Sequence, residues 1–420
     1  MVGRRLGIEG TRVAIVGGSI AGCAAAVALD RVGCEVSVFE RTEGDLAERG
    51  AGIAIPVSLK EQLMTEGYLD VGYPSCRASE RLWLVADDHD RFGRALWSQP
   101  SPAIMNNWSD LWQGLRSRMG HVGYHDAMAV SSLRLLSGGA EISFDDGSCV
   151  AADLVIGADG SRSVVRGSGH GAFGAGFAGY VAWRLGIPEG AIADVGPLGA
   201  AAPDTWFTLC YRDGHAIVYW IPSSGSVSAP VGERRVLNFV IYSPAPSGLA
   251  LERPAWIPPG EVPPAMRAQF EAFVDARFPA WWSTLIRQAA PDQLSLQPVY
   301  DGAATSYVDG PVVLVGDAGS LARPHTGSGA TKALSDALAL ERACRRHDTW
   351  SDALDDYDAE RGRAGRELVA LGRRLGHDMV EATPEWSTMD AASLDAFTKA
   401  TVAGHGLYFY GNASDQRRGP

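Results

Sequence analysis

Gly17, Gly18, Ser19 and Gly22 follow a short apolar segment, and their types and spacing suit the binding of a phosphate group. Gly17 permits a sharp turn, and Gly22 permits a helix to approach the preceding strand closely. Unpaired N–H groups at the beginning of that helix can bind a pyrophosphate. Ser19 replaces the middle glycine of the common pattern and adds a hydroxyl donor. The alternative is a glycine turn that serves packing alone, but the pattern predicts a dinucleotide site whose residues are Gly17, Gly18, Ser19, Ile20, Ala21 and Gly22.

Glu40 strengthens this prediction. It ends a second apolar segment, residues 36–39, and follows Gly17 by 40 − 17 = 23 positions. At that distance in a strand–helix–strand unit, a carboxylate can bind ribose hydroxyls. Residues 13–41 are therefore predicted to form a βαβ unit that holds a dinucleotide.

Two further segments each place a carboxylate directly after a buried strand. Asp159 follows the apolar segment 154–156, and Asp317 follows the apolar segment 312–315. A glycine-rich stretch at 327–329 then opens a helix whose N-terminus can face an anion. A carboxylate at the carboxyl end of a strand suits a polyol such as a ribityl chain. Each segment alone could be an ordinary strand–turn–helix junction, but the three together in this order predict a flavin site.

The composition argues against two classes of partner. The 420 residues carry a formal net charge of −12, which disfavours nucleic acid and anionic membranes as partners. No apolar run approaches the roughly 18 residues of a membrane span, and the first residues lack the apolar core of a secretory signal. The six cysteines include no C-x-x-C pair, as expected of reduced thiols in a cytoplasmic protein.

The elements that position these motifs can be read from the periodicity of apolar residues. Residues 80–97 alternate and predict a β-hairpin, while residues 170–245 are typical of a mixed or antiparallel sheet. The pattern further predicts helices near residues 110–119 (capped by Ser109), 265–277, 280–290, 332–346 and 351–376.

The glycine-rich turn, the middle Asp-Gly pair and the late Gly-Asp pair occur in an order that identifies a family. Over about residues 12–375, the chain resembles the FAD-dependent aromatic hydroxylases of the para-hydroxybenzoate hydroxylase fold. Residues 17–20, 180–184 and 316–325 are most similar to those of the 2,6-dihydroxypyridine 3-hydroxylases within that family.

This resemblance implies an α/β fold. A Rossmann-like FAD-binding domain would carry an inserted, mostly antiparallel sheet as an α+β substrate domain, with helices at the C-terminal end. The implied segments are 1–78, 100–175 and 295–345 for FAD, 79–99 for a substrate-domain hairpin, 176–294 for the substrate domain and 346–420 for the helices.

The resemblance also implies how individual residues bind FAD. Glu40 would bind the adenosine ribose, Arg41 would lie beside the adenine, and Arg49 would lie near the flavin and pyrophosphate. Asp159 would belong to a turn shared by FAD and the nicotinamide donor, and Asp317 would bind the ribityl chain. Gly316 precedes Asp317, and the loop over the isoalloxazine would contain Pro324, Gly327, Ser328, Gly329 and Ala330.

The implied reaction is a class A monooxygenation. NADH or NADPH would reduce the flavin, and a C4a-hydroperoxide formed with O2 would hydroxylate an electron-rich aromatic or N-heteroaromatic ring. A general base would raise the electron density of the ring, and the candidates are His325, His215 and Tyr211. His325 is preferred because its motif places it beside the flavin, although a structural loop histidine is the alternative.

Arg184 could hold an anionic oxygen of the substrate, although an exposed or ion-paired arginine is the alternative. The aromatic residues that could wall the substrate site, unless they belong to the core, are Trp183, Trp206, Tyr211 and Trp220.

Three rival functions stay open. The same flavin chemistry could serve epoxidation or Baeyer–Villiger oxidation of a natural-product intermediate. A flavin-linked reductase would not consume oxygen, and a flavin-loaded redox sensor would show no substrate-stimulated oxidation of the nicotinamide. The expected partners are a small aromatic substrate and O2, without nucleic acid, membrane or metal, and the expected state is a monomer or homodimer.

Overall fold

The computed structural model describes residues 7–46, 51–168, 175–200, 204–225, 234–252 and 255–404. Arg49, which the resemblance places near the flavin, lies outside the described residues.

Eighteen strands are formed by the described residues. They are β1 (Arg12–Val16), β2 (Glu35–Phe39), β3 (Gly52–Ile55), β4 (Cys76–Asp87), β5 (Asp90–Asn107), β6 (Gly123–His125), β7 (Val130–Leu136), β8 (Gly139–Phe144), β9 (Cys149–Ala152), β10 (Leu154–Gly157), β11 (Gly176–Pro188), β12 (Thr205–Tyr211), β13 (Gly214–Pro222), β14 (Arg235–Pro244), β15 (Ser295–Ala303), β16 (Val308–Asp309), β17 (Val312–Leu314) and β18 (Ser320–Leu321).

Ten α-helices accompany these strands in the described ranges. They are α1 (Ile20–Asp30), α2 (Val57–Thr65), α3 (Trp108–Arg116), α4 (Val164–Gly167), α5 (Gly196–Ala200), α6 (Pro264–Arg277), α7 (Ala280–Arg287), α8 (Gly329–Arg346), α9 (Trp350–Gly376) and α10 (Ala391–Val402).

The first sheet has six strands in the order β16-β17-β10-β1-β2-β6. β1 lies parallel to both β2 and β10, and β10 lies parallel to β17. These central strands are almost continuously apolar because both faces of the sheet are covered. Since parallel strands end at the same edge, this topology brings the ends of β1, β10 and β17 together.

The second sheet has nine strands in the order β18-β15-β11-β14-β13-β12-β4-β5-β3. Its pairs are antiparallel, apart from the parallel pair of β12 with β4. One face packs in an apolar cluster with α6 and α7. The opposite face contacts the turn at Pro324–Thr326 through Tyr180 and Tyr242. The predicted α/β fold with an inserted sheet is therefore present.

The predicted helices are present, with ends within three residues of the expected positions; for example, α7 ends at Arg287 and α8 begins at Gly329. The predicted helix near 110–119 begins earlier, at Trp108, because the Asn107 side chain caps it by accepting from the Ser109 N–H. No helix in the described ranges combines the length and apolarity needed to cross a bilayer. The exact domain boundaries stay a prediction.

Candidate active site

Three strand ends meet at glycines that leave no space for a side chain. Gly17 has φ +102°, and a Cβ there would lie 2.5 Å from the Ala158 carbonyl oxygen after β10. A Cβ at Gly22 would lie 1.8 Å from the Gly17 oxygen. Gly316 has φ +61°, and a Cβ there would lie 2.8 Å from the Ala21 Cβ. The backbone after β1, β10 and β17 is therefore packed into one continuous edge.

Glu40 stabilises the glycine turn through hydrogen bonds to backbone N–H groups. Its buried carboxylate accepts from the Gly18 N–H at 2.8 Å and from the Thr42 N–H at 3.0 Å. The Trp112 indole donates to the Gly18 carbonyl at 2.8 Å. The structure thus brings Glu40 to the glycine turn, and its contact with the adenosine ribose stays a prediction. Arg41 beside it is exposed.

Asp159 organises the turn after β10. One carboxylate oxygen accepts from the Val164 and Val165 N–H groups at 2.7 and 3.2 Å. The other oxygen is buried and has no partner in the described part of the chain. Burial raises the pKa of Asp159. A ligand hydroxyl beside that oxygen would supply the missing hydrogen bond.

Asp317 follows β17 and leaves part of its carboxylate accessible. Lys332 Nζ lies 3.0 Å from its Oδ1, and the Lys332 side chain is 2% exposed while that of Asp317 is 44% exposed. Arg166 donates to the Ala318 carbonyl at 2.9 Å, which fixes the turn that carries Asp317. The carboxylate is therefore held from inside and open toward solvent. Lys332 was not singled out in the sequence, because a lysine in the first turn of a helix carries no motif.

Asp336 is a second residue that the sequence reasoning missed. It is fully buried and accepts from the Gly316 N–H at 2.8 Å and from Arg361 Nε at 2.7 Å. Burial raises its pKa, and the Arg361 and Lys332 charges oppose that rise. The only signal in the sequence is an acidic residue inside the helix that follows the glycine-rich loop. It anchors the backbone of Gly316 and thereby orients Asp317.

The beginning of α8 completes the candidate cofactor site, which also contains the glycine turn, Asp159 and Asp317. Gly327 has φ +61°, and a Cβ at Gly329 would meet no atom within 4 Å. The Thr331 hydroxyl in the first turn is buried without a partner among the described residues. The α8 N-terminus also carries no acidic residue in its first turn, so an anionic group can approach its N–H groups. Together with the glycine turn and the open Asp317, these features fit FAD.

His325 is buried in the turn Pro324–Thr326, where it packs against the second sheet. Its Nε2 is 2.7 Å from the Tyr180 hydroxyl, and its ring contacts His215 and Tyr242 with centroid distances of 5.1 and 4.1 Å. Burial lowers the pKa of His325 well below its ordinary value, and that of His215 to about 3. The structure therefore brings two of the three predicted base candidates together, both as neutral imidazoles.

The same sheet face carries a set of polar side chains, here called the polar face: Arg184, Tyr219, Asn238 and Gln297. Arg184 Nε donates to Gln297 Oε1 at 3.1 Å, and no partner for its two terminal nitrogens lies among the described residues. Asn238 accepts from the Gly52 N–H at 3.0 Å, while its amide nitrogen is buried without a partner in those ranges. Burial raises the pKa of Tyr219 to about 12, so its phenol stays protonated.

Most of the predicted aromatic wall lies on the other face. Trp183, Tyr211 and Trp220 belong to the cluster that packs against α6 and α7. Tyr211 also donates to the Tyr242 carbonyl at 2.9 Å, which uses its hydroxyl in the core. Trp206 alone of the four shares a face with Tyr219. Neighbouring residues of a strand point to opposite faces, so Trp183 cannot share a face with Arg184, nor Trp220 with Tyr219.

Comparison with protein families decides the assignment. The model described as "FAD binding domain" matches residues 140–371, which is more than half of the chain. The chain belongs to this FAD-binding family. A second model, "Pyridine nucleotide-disulphide oxidoreductase", matches residues 12–67, the βαβ unit.

Named relatives of this FAD-binding protein cover most of its length. The 2,6-dihydroxypyridine 3-monooxygenase of Paenarthrobacter nicotinovorans is 28% identical over 87% of this chain and 92% of its own. The FAD-dependent urate hydroxylase of Klebsiella pneumoniae is 27% identical over 89% of this chain and 92% of its own. The solved structure of 2,6-dihydroxypyridine-3-hydroxylase from Arthrobacter nicotinovorans superimposes with a TM-score of 0.78 at 25% identity, covering 96% of each chain. The prediction of an FAD-dependent aromatic hydroxylase, an oxidoreductase of the monooxygenase class, is confirmed.

The buried histidines of this FAD-binding protein predict acid sensitivity. His215 and His325 stay neutral when folded but take up a proton near pH 6.5 when unfolded, so the unfolded state binds more protons below that pH. The stability they contribute is complete above pH 6.5 and is lost as the pH falls. We expect each histidine to lower the free energy of unfolding by about 1.4 kcal/mol between pH 7.5 and pH 5.5.

Urea unfolding at the two pH values checks this expectation. His215→Asn and His325→Asn should each flatten the pH dependence, whereas replacement of the exposed His89 should not. An unchanged pH dependence in both buried-site variants would contradict the assignment of these histidines as neutral.

Proposed function

We propose that this chain uses FAD, NADH or NADPH, and O2 to hydroxylate an electron-rich heteroaromatic ring that carries an anionic or carbonyl oxygen. The observation that carries this proposal is Arg184, whose terminal nitrogens have no partner among the described residues on a face otherwise formed by neutral polar groups. When bound, FAD supplies the redox chemistry that activates oxygen. The chain has to hold the cofactor, orient the ring and keep water away.

The polar face can orient such a ring. Arg184 would bind an oxyanion through charge-assisted hydrogen bonds, and the negative charge on that oxygen raises the electron density of the ring. Tyr219, protonated because of its raised pKa, and the unpartnered Asn238 amide nitrogen are further donors. A face rich in donors and poor in free acceptors favours a substrate with several ring oxygens.

The relatives support the same substrate class. Two of them are named for 2,6-dihydroxypyridine and for urate, which are both nitrogen heterocycles bearing ring oxygens. The segments around Trp183 and Arg323, quoted for the family resemblance, lie on or beside the second sheet. We therefore favour N-heteroaromatic substrates over simple phenols.

A substrate screen tests the proposal. The purified FAD-loaded protein would be offered 2,6-dihydroxypyridine, urate and salicylate with NADH or NADPH, while nicotinamide oxidation and oxygen uptake are measured. We expect faster nicotinamide oxidation with a heterocycle and a product that gains one oxygen atom on the ring. Ring opening or an epoxide would favour the rival oxidations, and reduction without oxygen uptake would favour a reductase. No stimulation by any of the three compounds would contradict the proposed substrate class.

Arg184→Met should lower kcat/KM for the substrate about 10- to 100-fold, mainly through KM. The reason is that a hydrogen bond to a charged group contributes about 1.5–3 kcal/mol. Steady-state kinetics with the substrate from the screen measures this change. Arg134→Met, which removes an arginine from an exposed ion pair on β7, is the matched control and should leave the kinetics unchanged. Equal kcat/KM in Arg184→Met and wild type would contradict the role of Arg184.

We further propose a cytoplasmic location, which the six unpaired cysteines favour. A monomer or homodimer stays the expected assembly.

A further inference from the structure

His325 leaves one ring nitrogen without a hydrogen bond. The side chain is buried, at 8% exposure for the residue, and its Nδ1 has no partner among the described residues. Its Nε2 is bonded to the Tyr180 hydroxyl at 2.7 Å. A buried polar atom without a partner is unfavourable unless a ligand or water completes it. What could complete it depends on whether Nδ1 carries a proton.

The contacts of Tyr180 determine the direction of this hydrogen bond. Arg323 Nη1 lies 3.3 Å from the Tyr180 oxygen, and a guanidinium can only donate. Arg323 is itself held by Asp301, with Nε 2.8 Å from the carboxylate, and by Glu381. The phenol proton of Tyr180 has no acceptor other than His325 Nε2 in the described ranges. Hydrogen bonding is therefore complete only if Arg323 donates to Tyr180 and Tyr180 donates to His325.

This direction assigns the proton on the imidazole. Nε2 accepts, so a neutral His325 carries its proton on Nδ1. In the described part of the chain, the rings of His215, Tyr180 and Tyr242 contact His325 and Arg323 is a nearby charge, and none of these four groups is an anion. Burial and the nearby His215 and Arg323 lower the pKa of His325, which keeps the ring neutral. A neutral His215 is protonated at Nδ1 as well, because its Nδ1 donates to the Met379 carbonyl at 3.3 Å.

We propose that Arg323 and Tyr180 lock His325 as a neutral hydrogen-bond donor at Nδ1, and that this donor binds an oxygen of the aromatic substrate. The inference rests on the proposed function for the identity of the acceptor. His325 lies two positions before Gly327 and four positions before Gly329, the first residue of α8, and it contacts the sheet face that carries Arg184. In this role His325 stabilises negative charge on the substrate oxygen instead of removing a proton as a general base. Tyr180 and Arg323 are positioning residues.

The lock is tested without any substrate. The ¹⁵N chemical shifts of the histidine rings in the labelled, FAD-loaded protein report which nitrogen carries the proton. We expect His325, identified by its absence in His325→Asn, to be protonated at Nδ1 and not at Nε2 between pH 6 and pH 9. Tyr180→Phe should populate the other tautomer, whereas Tyr242→Phe, which alters a ring in contact with the imidazole, should not. A wild-type signal from Nε2–H, or no change in Tyr180→Phe, would overturn the lock.

The donor role is tested by two amide replacements. The side-chain nitrogen of asparagine can take the place of Nδ1, while that of glutamine reaches the place of Nε2. Binding of 2,6-dihydroxypyridine, urate and salicylate would be followed through the flavin absorbance. For a compound that binds the wild type, we expect an affinity within about threefold in His325→Asn and a loss of about tenfold or more in His325→Gln.

Equal losses in the two variants would overturn the donor role even if the tautomer is as expected. If the wild type binds none of the three compounds, the proposed substrate class is wrong and donation to such a substrate falls with it. The ¹⁵N measurement decides the lock in either case.

Discussion

Asp317→Ala should abolish FAD retention, with the affinity for FAD falling by about 100-fold or more. The carboxylate lies at the carboxyl end of β17, is 44% exposed, and is oriented by the Gly316–Asp336 and Arg166–Ala318 hydrogen bonds. A charged acceptor bonded to ligand hydroxyls contributes about 1.5–3 kcal/mol for each bond. Titration of the apoprotein with FAD, followed by the quenching of flavin fluorescence, measures the change.

A second variant separates cofactor binding from folding. Asp317→Ala removes the ion-pair partner of the buried Lys332 ammonium. This should lower the free energy of unfolding by about 2 kcal/mol, because the half-exposed Asp317 gives only part of a buried ion pair's effect. Adding Lys332→Met removes that charge and should restore most of the stability but not the FAD affinity. Native FAD stoichiometry in Asp317→Ala would contradict its predicted role, and recovery of FAD binding in the double variant would show that the loss was structural.

Gly22→Ala should both destabilise the protein and prevent FAD binding. The added Cβ would lie 1.8 Å from the Gly17 carbonyl oxygen, and this is a backbone atom that cannot rotate away. This steric clash is relieved only if α1 moves away from the turn. Such a movement would separate the ends of β1, β10 and β17. We expect a loss of about 3 kcal/mol in the free energy of unfolding, at the upper end for an overpacked core. Urea unfolding of the apoprotein and FAD titration measure the two effects.

Gly167→Ala is the matched control. Gly167 ends α4, and a Cβ there would meet no atom within 4 Å. Its stability should change by less than about 1 kcal/mol and its FAD affinity should not change. If Gly22→Ala bound FAD as tightly as this control, close packing at position 22 would not be needed for FAD binding.

The nucleotide half of the molecule could be predicted from the sequence because its signals are local. Gly17, Gly22 and Glu40 each meet a requirement set by one turn, one helix and one strand. The apolar runs before Asp159 and Asp317 predict buried parallel strands, and such strands end at the same edge. The meeting of three distant segments therefore follows from patterns that can be read one at a time.

The substrate half required the tertiary structure. The alternation in β11 and β13 separates Trp183 from Arg184 and Tyr219 from Trp220, but it does not say which face becomes the site. Packing of α6 and α7 on the face of Trp183 and Trp220 placed those residues in the core, and the polar face, which we propose as the substrate face, lies on the other side of the sheet. Three of the four aromatic residues considered for the substrate site, Trp183, Tyr211 and Trp220, therefore lie in the core between the sheet and these helices.

The sequence by itself determined the glycine turns, the strand-end carboxylates and hence the cofactor. Only the tertiary structure decided the Lys332–Asp317 pair, the Asp336 anchor and the Arg323–Tyr180–His325 chain. The physical reason is the distance along the chain over which each property is determined. Backbone geometry depends on neighbours in sequence, whereas the charge, proton position and exposure of a side chain depend on groups from any part of the chain.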